Sequence, residues 1–466
     1  MFVFKVEKRY NGKKSRNHRR QVVVKARKTF KIITYGCQMN QRDSEMMADL
    51  LQDAGYEPVA REEEAGVIIL DTCCVREKAE NKVYGKLGQI EKLKSANPDL
   101  VIAVAGCMVQ QPGVAEKIRQ QAPYVDLLLG TGNLQELPQL IEEIKAMHQP
   151  RIVVGEQEGP VVEDLPRRRA RGAQAFVTIT YGCNNFCTYC IVPYVRGRER
   201  SRRPENIIKE VKELADQGVI EVTLLGQNVN SYGRDLKDGI NFAGLLERVN
   251  AVEGLKRIRY VTSHPRDFTP ELVTTISRLD KVCEHVHLPV QAGSNRILEL
   301  MHRGYTREHY LELVADLRRH IPGISLTTDL IVGFPGETEA DFEDTLDLVA
   351  RVQFDNAFTF MYSPRRGTEA ATMPGQLPTA IKKERLKRLM ELQNSISLAK
   401  NEALVGQEVE VLVEGPSKTD PDQLSGRTRT NKLVIFPGAQ SLTGRLVRVR
   451  LTRAQTWLLK GEMVDG

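Results

Sequence analysis

Three cysteines, Cys183, Cys187 and Cys190, lie in the segment TYGCNNFCTYC, with three and then two residues between them. Thiolates are preferred ligands of iron–sulfur clusters, and three of them leave one iron of a four-iron cluster without a protein ligand. A substrate or cofactor can bind at that iron. The alternative is zinc, which in structural sites usually has four protein ligands. No histidine occurs between His148 and His264 to provide a fourth ligand, so the spacing favours an iron–sulfur cluster.

A second set of cysteines follows three apolar segments nearer the amino terminus. Cys37 comes after FKIITYG, Cys73 and Cys74 come after VIILDT, and Cys107 comes after LVIAVAG. Parallel strands end on the same edge of a sheet, so thiols from three strand ends can meet there. Either Cys73 or Cys74 could serve. The alternative is that these are core cysteines, but their shared position at strand ends favours a second cluster.

Both sets require parallel strands to position them, and the apolar pattern predicts such strands. Short aliphatic segments that end at Gly or Thr alternate with amphipathic segments such as Glu45 to Ala54 and Gln135 to Met147. This alternation is typical of a parallel sheet covered by helices. We therefore predict an amino-terminal α/β domain over residues 30–150. The stretch 151–174, which contains Pro and Arg residues, is predicted to be a linker or surface loop.

Residues 165–400 contain a second alternating series. Six strand-helix units predict a partial or complete (β/α)6 barrel, whose active site would lie at the carboxyl ends of its strands. The predicted strands are AFVTITY, VIEVTLLG, LKRIRYVTS, EHVHLPV, ISLTTDLIV and FDNAFTF.

Residues 401–466 alternate polar and apolar positions, which predicts a small antiparallel β-barrel of the oligonucleotide-binding sort. Its predicted strands are EVEVLVEG, KLVIFPG, RLVRVRLT and TWLLKGE. From Arg427 to Lys460 there are eight basic residues and no acidic ones, which indicates an RNA-binding module. The alternative is a structural cap with basic solvent faces. The candidate RNA contacts are Arg427, Arg429, Lys432, Arg445, Arg448 and Arg450.

The amino-terminal residues 1–31 hold twelve Lys or Arg and one Glu, a formal charge of +11 in a chain whose total is +7. We assign 1–29 to a disordered basic tail, which could grip a polyanion, have no specific role, or be a mitochondrial presequence. No apolar stretch approaches the roughly 20 residues that span a bilayer. We expect a cytoplasmic protein without a membrane segment, in which eight cysteines indicate metal-bound or reactive thiols.

The CxxxCxxC spacing after the first strand of a β/α barrel resembles the radical S-adenosylmethionine superfamily. Tyr189, just before the third cysteine, matches the aromatic residue common at that position. The resemblance implies that the open iron chelates the amino and carboxylate groups of S-adenosylmethionine. Electron transfer then releases a 5'-deoxyadenosyl radical that abstracts hydrogen.

The three predicted domains together resemble the methylthiotransferases over residues 30–466. The motifs TYGCQMN, DTCCVRE and GCMVQ match those of the family, with Asp71 in place of the usual Asn. The resemblance selects Cys73 over Cys74, and so implies a second four-iron cluster at Cys37, Cys73 and Cys107 that presents sulfur for transfer. The last domain resembles the TRAM domain, an RNA-binding module.

The phrases CIVPYVRGRERSR, LLGQNVNSYG, TSHP, HLPVQAGS and TDLIVGFPGET are most similar to the MiaB type of methylthiotransferase. That type converts isopentenyl-adenosine beside the tRNA anticodon to its 2-methylthio derivative, with S-adenosylmethionine as both radical source and methyl donor. The implied partners are that tRNA and an electron donor such as flavodoxin or ferredoxin, and we expect a monomer. The alternatives are a methylthiotransferase for a ribosomal protein aspartate or threonylcarbamoyl-adenosine tRNA, and a non-catalytic iron–sulfur RNA-binding protein.

Residues at the predicted barrel strand ends are candidates for contacts with S-adenosylmethionine, although each also suits a turn. They are Gln227, Asn228, Ser263, Gln291, Ser294 and Asp329. Five arginines after the cysteine loop could steer phosphate or form an exposed charged face: Arg196, Arg198, Arg200, Arg202 and Arg203. Cys283, His285 and His287 share one strand face, where packing in the barrel lumen is favoured over metal binding.

Overall fold

The structure is a computed structural model that describes residues 28–74, 77–155, 163 and 172–464. Most of the basic tail lies outside the described residues, as do Arg167, Arg168, Arg169 and Arg171 of the predicted linker. In the described part of the chain, no helix has the length and apolar composition to cross a membrane.

The amino-terminal domain is a six-stranded parallel sheet with helices on both faces. Its order is β2-β1-β3-β4-β5-β6. The strands are β1 (Thr29–Thr34), β2 (Glu57–Pro58), β3 (Val67–Thr72), β4 (Val101–Gly106), β5 (Leu127–Leu129) and β6 (Arg151–Val153). The helices are α1 (Gln38–Asp53), α2 (Glu77–Ala96), α3 (Val114–Gln121) and α4 (Leu137–Met147).

Two apolar cores fix this layering. The side chains of α1 and α4 pack on one face of the sheet, and those of α2 and α3 pack on the other. The central strands β3 and β4 are buried along their whole length, as expected for a parallel sheet covered on both faces. The sheet also includes β6, which pairs in parallel with β5. The prediction that residues 151–153 are linker was therefore wrong.

The central domain is the predicted partial barrel. Its parallel strands form two sheets, β11-β10-β7 and β12-β13-β14, which a parallel bridge between Ile258 and Val282 connects. The two-residue strands β8 and β9 form a separate antiparallel pair. The strands are β7 (Gln174–Thr178), β8 (Thr180–Tyr181), β9 (Arg200–Ser201), β10 (Glu221–Leu225), β11 (Arg257–Tyr260), β12 (His285–His287), β13 (Ser325–Val332) and β14 (Asn356–Met361).

Among the described residues of this domain there are eight α-helices, and the larger ones bury apolar side chains against the strands in one continuous core. They are α5 (Val192–Arg196), α6 (Pro204–Asp216), α7 (Phe242–Asn250), α8 (Pro270–Arg278), α9 (Asn295–Leu300), α10 (Arg307–His320), α11 (Glu339–Val352) and α12 (Thr379–Glu402). Short 3-10 helices also occur at Glu62–Glu64, Leu134–Glu136, Val229–Ser231, Pro265–Asp267, Glu369–Ala371 and Gln440–Leu442.

The carboxyl-terminal domain is a closed five-stranded barrel in the order β15-β16-β17-β19-β18. Its pairs are antiparallel except β17 with β19, which run parallel. One strand, β16, was not among the four predicted. The strands are β15 (Glu408–Pro416), β16 (Gln423–Thr428), β17 (Leu433–Pro437), β18 (Leu446–Ala454) and β19 (Leu459–Met463).

This small barrel docks at the amino-terminal ends of the central strands. Arg257, the first residue of β11, pairs with Glu410 at 2.7 Å and donates to the Arg427 carbonyl at 2.9 Å. Arg259 donates to the Thr428 carbonyl at 2.7 Å. The small barrel thus lies at the opposite end of the central strands from the predicted active site.

Candidate active site

Cys183, Cys187 and Cys190 occupy the loop between β8 and α5, and backbone hydrogen bonds hold this loop. The amide of Cys183 donates to the Gly197 carbonyl at 3.2 Å, and that of Cys190 donates to the Cys187 carbonyl at 2.9 Å. Gly182 has a φ of +72°, and a Cβ there would lie 2.1 Å from the Arg198 carbonyl oxygen. Only glycine suits that position, because the loop passes so close to the backbone at Arg198 that a side chain would not fit.

A buried arginine, Arg303, lies against this radical set, by which we mean Cys183, Cys187 and Cys190. Its Nη1 lies 3.3 Å from Cys187 Sγ and 3.3 Å from the Tyr189 hydroxyl, and its Nη2 donates to the Pro289 carbonyl at 2.8 Å. Burial opposes its charge, but Tyr189, Tyr305 and Cys187 raise its pKa above the ordinary value. In the described part of the chain Arg303 forms no ion pair with a carboxylate, so its charge faces the thiol set.

The thiols of the radical set suit metal ligation. Burial raises the pKa of Cys183 to about 11 and that of Cys190 to about 12, so without metal both stay protonated at neutral pH. A coordinated thiol is deprotonated outright, because the metal offsets the desolvation cost of the thiolate. Three thiols, those of buried Cys183 and Cys187 and of half-buried Cys190, lie beside a guanidinium without a carboxylate partner among the described residues, and this donor set fits an anionic iron–sulfur cluster.

The second set lies where adjacent strand ends were predicted to meet. Cys37, Cys73 and Cys107 follow β1, β3 and β4, which are neighbours in the sheet. Cys37 is the N-cap of α1 and interacts with Asn40. Gly36 has a φ of +143°, and a Cβ on it would lie 2.8 Å from the Cβ of Cys73. The loop that carries Cys37 therefore packs directly on Cys73.

Cys74 also belongs to this region, because it is buried with Cys107 against Ile191 and Val195. A hydrogen bond between the two thiols is the largest cause that lowers the pKa of Cys107 to about 6 and raises that of Cys74. Cys74 therefore lies beside Cys107, and Cys73 lies against Gly36, the residue before Cys37. We call Cys37, Cys73, Cys74 and Cys107 the amino-terminal set.

The central domain completes the amino-terminal set through Arg196 of α5. Its Nε donates to Cys107 Sγ at 3.2 Å, and its Nη2 pairs with Asp43 of α1 at 2.6 Å. Both side chains of the ion pair are buried. Because α5 begins only two residues after Cys190, one short helix connects the two cysteine sets.

This finding corrects one interpretation of the arginines after the cysteine loop. Arg196 is buried, and so is Arg202, which pairs with Glu210 at 2.6 Å and donates to the Thr178 carbonyl. Arg198 is exposed and lies over the ring of Phe186. The five residues are therefore not one exposed charged face, and sequence reasoning missed Arg303 and Asp43 altogether.

Asp71, the departure from the family motif, is fully buried beside the amino-terminal set. Burial and the nearby Asp43 raise its pKa well above the ordinary value. It accepts hydrogen bonds from Asn40 at 3.0 Å and Ser44 at 2.8 Å. Asp has the shape of the Asn that the family motif carries here, and both of its oxygens have donors in Asn40 and Ser44.

Within residues 28–74, 77–155, 163 and 172–464, no three His, Cys, Asp or Glu side chains are arranged to hold a single metal ion. In a four-iron cluster each cysteine binds a different iron, so three cluster ligands lie farther apart than the ligands of one ion.

Several buried polar atoms at the carboxyl ends of β10 and β11 have no hydrogen-bond partner among the described residues. They are Gln227 Oε1, Asn228 Oδ1, Ser263 Oγ and His264 Nε2. Buried polar atoms are nearly always paired, so an unpaired group of them indicates a missing ligand. Gln227, Asn228 and Ser263 were predicted contacts of S-adenosylmethionine; His264 was not.

The other three predicted cofactor contacts are not among these unpaired buried atoms. Gln291 has a φ of +74°, a strained conformation for a non-glycine residue, and its backbone pairs with β13. Asp329 lies 3.6 Å from His287 Nε2. The Ser294 hydroxyl donates to Asp341 at 2.6 Å, so it binds α11 rather than standing free for a cofactor. His285 and His287 both contact the Thr327 hydroxyl.

The predicted RNA contacts fall into three groups. Arg429 pairs with Glu284 at 2.7 Å and Lys432 with Asp355 at 2.9 Å, so both attach the small barrel to the central domain. Arg427 pairs with Glu414 within the small barrel. Arg445, Arg448 and Arg450 are exposed, and of these Arg448 and Arg450 pair with Glu408 at 4.0 and 2.7 Å.

Comparison with known families gives three matches along the chain. Residues 29–130 match the Uncharacterized protein family UPF0004, residues 177–349 match the Radical SAM superfamily, and residues 402–464 match the TRAM domain.

The chain is also similar to curated proteins over nearly its full length. It is 99% identical over 444 residues to the tRNA-2-methylthio-N(6)-dimethylallyladenosine synthase of Moorella thermoacetica, a match that covers 95% of this chain and 100% of the relative. It is 55% identical to the protein of the same name from Desulforamulus reducens, over 94% of this chain and 96% of that one.

Among solved structures, the chain resembles the radical S-adenosylmethionine methyltransferase TsrM from Kitasatospora setae, with a TM-score of 0.55 and 14% identity over 74% of this chain and 77% of that one. The cobalamin-dependent S-adenosylmethionine radical enzyme OxsB matches with a TM-score of 0.51 and 14% identity, over 79% of this chain and 58% of that one. At this identity the likeness shows the fold alone.

Proposed function

The chain belongs to the tRNA-2-methylthio-N(6)-dimethylallyladenosine synthase family, and from that membership we propose that it methylthiolates carbon 2 of isopentenyl-adenosine next to the tRNA anticodon. It is a transferase of the radical S-adenosylmethionine superfamily, whose members use that cofactor and a 4Fe–4S cluster. Isopentenyl-adenosine is the N(6)-dimethylallyladenosine of the relatives' names.

The observation that carries this proposal is the pair of cysteine sets on either side of α5. We propose Cys183, Cys187 and Cys190 as ligands of one four-iron cluster, and Cys37, Cys73 and Cys107 as ligands of a second. The close packing of Gly36 on Cys73 supports Cys73 as the middle ligand. When bound, the two clusters supply the electron that cleaves S-adenosylmethionine and the sulfur that is transferred.

The protein's own residues position the reactants and exclude water. Carbon 2 of adenine is not acidic and carries no leaving group, so the reaction needs a radical confined away from solvent. Burial of Cys183 and Cys187 and of Arg303 provides a dry setting around the first cluster. We propose that Gln227, Asn228 and Ser263, whose buried oxygens lack partners, hold polar groups of S-adenosylmethionine, with Gln291 and Asp329 near them.

The proposed partners follow from the same reaction. The TRAM domain and the family's name support tRNA as the substrate, with exposed Arg445 as an RNA contact. The reaction needs a one-electron reductant, for which we propose flavodoxin or ferredoxin. Because the proposed substrate is tRNA, we place the reaction in the cytoplasm. We expect the chain to act as a monomer.

The decisive experiment is mass spectrometry of nucleosides from tRNA incubated with the reconstituted chain, S-adenosylmethionine and a reductant under anaerobic conditions. We expect 2-methylthio-isopentenyladenosine. A methylthio group found instead on threonylcarbamoyl-adenosine or on a ribosomal protein aspartate would assign a different substrate. Failure to cleave S-adenosylmethionine, with tRNA still bound, would indicate a non-catalytic RNA-binding protein.

Counting iron and sulfide in the reconstituted chain tests the number of clusters. Two four-iron clusters predict about 8 irons per chain. About 4 irons would remove the second cluster, and with it the proposed sulfur donor.

A further inference from the structure

The eight basic residues between Arg427 and Lys460 do not have equivalent surroundings. Five have carboxylate partners within 4.0 Å: Arg427 with Glu414, Arg429 with Glu284, Lys432 with Asp355, and Arg448 and Arg450 with Glu408. In the described part of the chain Arg445, Arg453 and Lys460 have no such partner. The unpaired cations are therefore a minority, and two of them lie on either side of the turn between β18 and β19.

That turn carries Trp457, the only tryptophan of the chain. Its side chain is 68% exposed, the largest exposed fraction among the large apolar residues that the structure describes. Tryptophan normally buries most of its surface, so a solitary exposed ring requires an explanation.

The turn that presents Trp457 is held in place. Asn401, near the end of α12, is only 3% exposed, and its Nδ2 donates to the carbonyls of Gln455 at 2.8 Å and Thr456 at 3.2 Å. The Gln455 amide also donates to the Leu458 carbonyl at 2.9 Å. Because the backbone is already ordered, a ligand that contacts the ring pays little entropy to immobilise the turn.

A β-bulge turns Arg453 outward at the start of the turn that carries Trp457. Leu451 pairs with Gly461, but Arg453 pairs with Lys460, so two residues of β18 lie opposite one of β19. In a regular strand Arg453 would point to the same side as buried Leu451, whereas here both Thr452 and Arg453 are exposed. The bulge thus places Arg453 next to Lys460, with Trp457 between them along the chain.

We infer that Arg453, Trp457 and Lys460 form a platform that binds the substrate RNA. One unpaired base of the RNA stacks on the Trp457 ring, and neighbouring phosphates of the RNA lie at the two cations. An aromatic face between unpaired positive charges is the combination that proteins use for single-stranded nucleic acid. This inference rests on the proposed function for the identity of the RNA. Because the small barrel docks at the amino-terminal ends of the central strands, the stacked base is a different nucleotide from the one modified.

The single tryptophan provides a direct test in the intact, reconstituted protein. Titration with tRNA that carries isopentenyl-adenosine should quench the intrinsic tryptophan fluorescence in a saturable way, since Trp457 is the only source of that signal. Heparin, a polyanion without bases, should not quench it. Unchanged fluorescence at saturating tRNA, or equal quenching by heparin, would overturn base stacking on Trp457.

Variants test the two parts of the platform by electrophoretic mobility shift. Trp457→Ala should weaken tRNA binding about tenfold, and Trp457→Phe should recover most of that loss. The double variant Arg453→Gln and Lys460→Gln should lower the salt dependence of log Kd by about 1.5. Lys209→Gln with Lys212→Gln, which removes two exposed charges from α6, is the matched control and should lower it far less. Equal effects of the two double variants would overturn the platform.

The platform and the proposed function can fail separately. Quenching by tRNA with no methylthio product would leave the platform and remove the proposed reaction. Product formation with unquenched Trp457, and with unchanged affinity of the Trp457→Ala variant, would do the reverse.

Discussion

The two cysteine sets each have a buried arginine and at least one buried carboxyl group nearby, but they arrange these groups differently. In the amino-terminal set Arg196 and Asp43 pair at 2.6 Å, and the arginine comes from the other domain. In the radical set Arg303 belongs to the same domain and has no carboxylate partner among the described residues. The nearby Glu199 instead accepts a hydrogen bond from Ser231 at 2.7 Å.

The radical set is therefore complete within one domain, whereas the amino-terminal set is completed only when the central domain docks against it. The radical set keeps a full positive charge beside its thiols, which suits a cluster that must accept an electron. In the amino-terminal set Asp43 offsets the charge of Arg196, and the ion pair also joins the two domains. On the proposed function, sulfur transfer would therefore depend on an interface between two domains, whereas cleavage of S-adenosylmethionine would not.

Removing one thiol from each set gives the largest expected effect. Cys187→Ala should lose about four of eight irons and all cleavage of S-adenosylmethionine, whereas Cys107→Ala should lose the other four and keep that cleavage but make no methylthio product. Iron analysis and chromatography of 5'-deoxyadenosine measure the two outcomes. Cys74→Ala, which also removes a buried thiol, is the control and should keep all the iron. If Cys107→Ala abolished cofactor cleavage, the two sets would not be independent.

Breaking the Arg196–Asp43 pair should have the next largest effect. Asp43→Ala leaves a buried guanidinium without its carboxylate, which costs about 3–5 kcal/mol of stability. Anaerobic thermal unfolding and iron retention should both report the loss, and the iron lost should be that of the amino-terminal set. Adding Arg196→Met should recover part of the stability, because both charges are then absent. An Asp43→Ala protein as stable as its parent would show that the domains dock without this pair.

The cysteines of both sets can be predicted from the sequence, but the charged residues beside them cannot. Cys37, Cys73 and Cys107 follow apolar strands, and parallel topology alone brings such ends together. The contacts of Arg196 with Cys107 and of Arg303 with Cys187 join residues 89 and 116 positions apart, and no local pattern marks them. Buried arginines also look like surface charge in a sequence, since Arg is mostly exposed.

The same limit explains the strands that were missed. The segment QLSGRT of β16 has little β-propensity, and its conformation comes from pairing with β15 and β17. A Cβ at its Gly426 would lie 2.4 Å from the Leu412 carbonyl oxygen, so the glycine that weakens the prediction is required by close packing. The three-residue strand β6 is too short to show periodicity.

Glu199, the buried carboxyl group near the radical set, makes the stability of the protein depend on pH. Burial raises its pKa to about 7, above the ordinary value of 4.5, so ionising it in the folded protein costs stability as the pH rises through this range. Glu199→Gln should therefore stabilise the protein by on the order of 1–3 kcal/mol at pH 8 and by about 1 kcal/mol less at pH 6, because most of this cost accumulates between the unfolded and the folded pKa. The thermal midpoint of the reconstituted protein at both pH values measures this. A stabilisation that is the same at pH 6 and pH 8 would mean that Glu199 is already paired in the folded state.

The smallest expected effect tests how α5 is seated on the amino-terminal domain. The Thr131 hydroxyl donates to the Val195 carbonyl at 2.8 Å, one residue before Arg196. Thr131→Val keeps the side-chain shape but removes the donor, which should cost about 1 kcal/mol in the free energy of unfolding. If docking of α5 positions Arg196, this variant should also lose iron from the amino-terminal set faster under chelator challenge, while the radical set loses iron at the parent's rate. Equal acceleration at both sets would show that α5 supports the whole interface rather than the amino-terminal set, and would remove the distinction between a self-contained and a docked site.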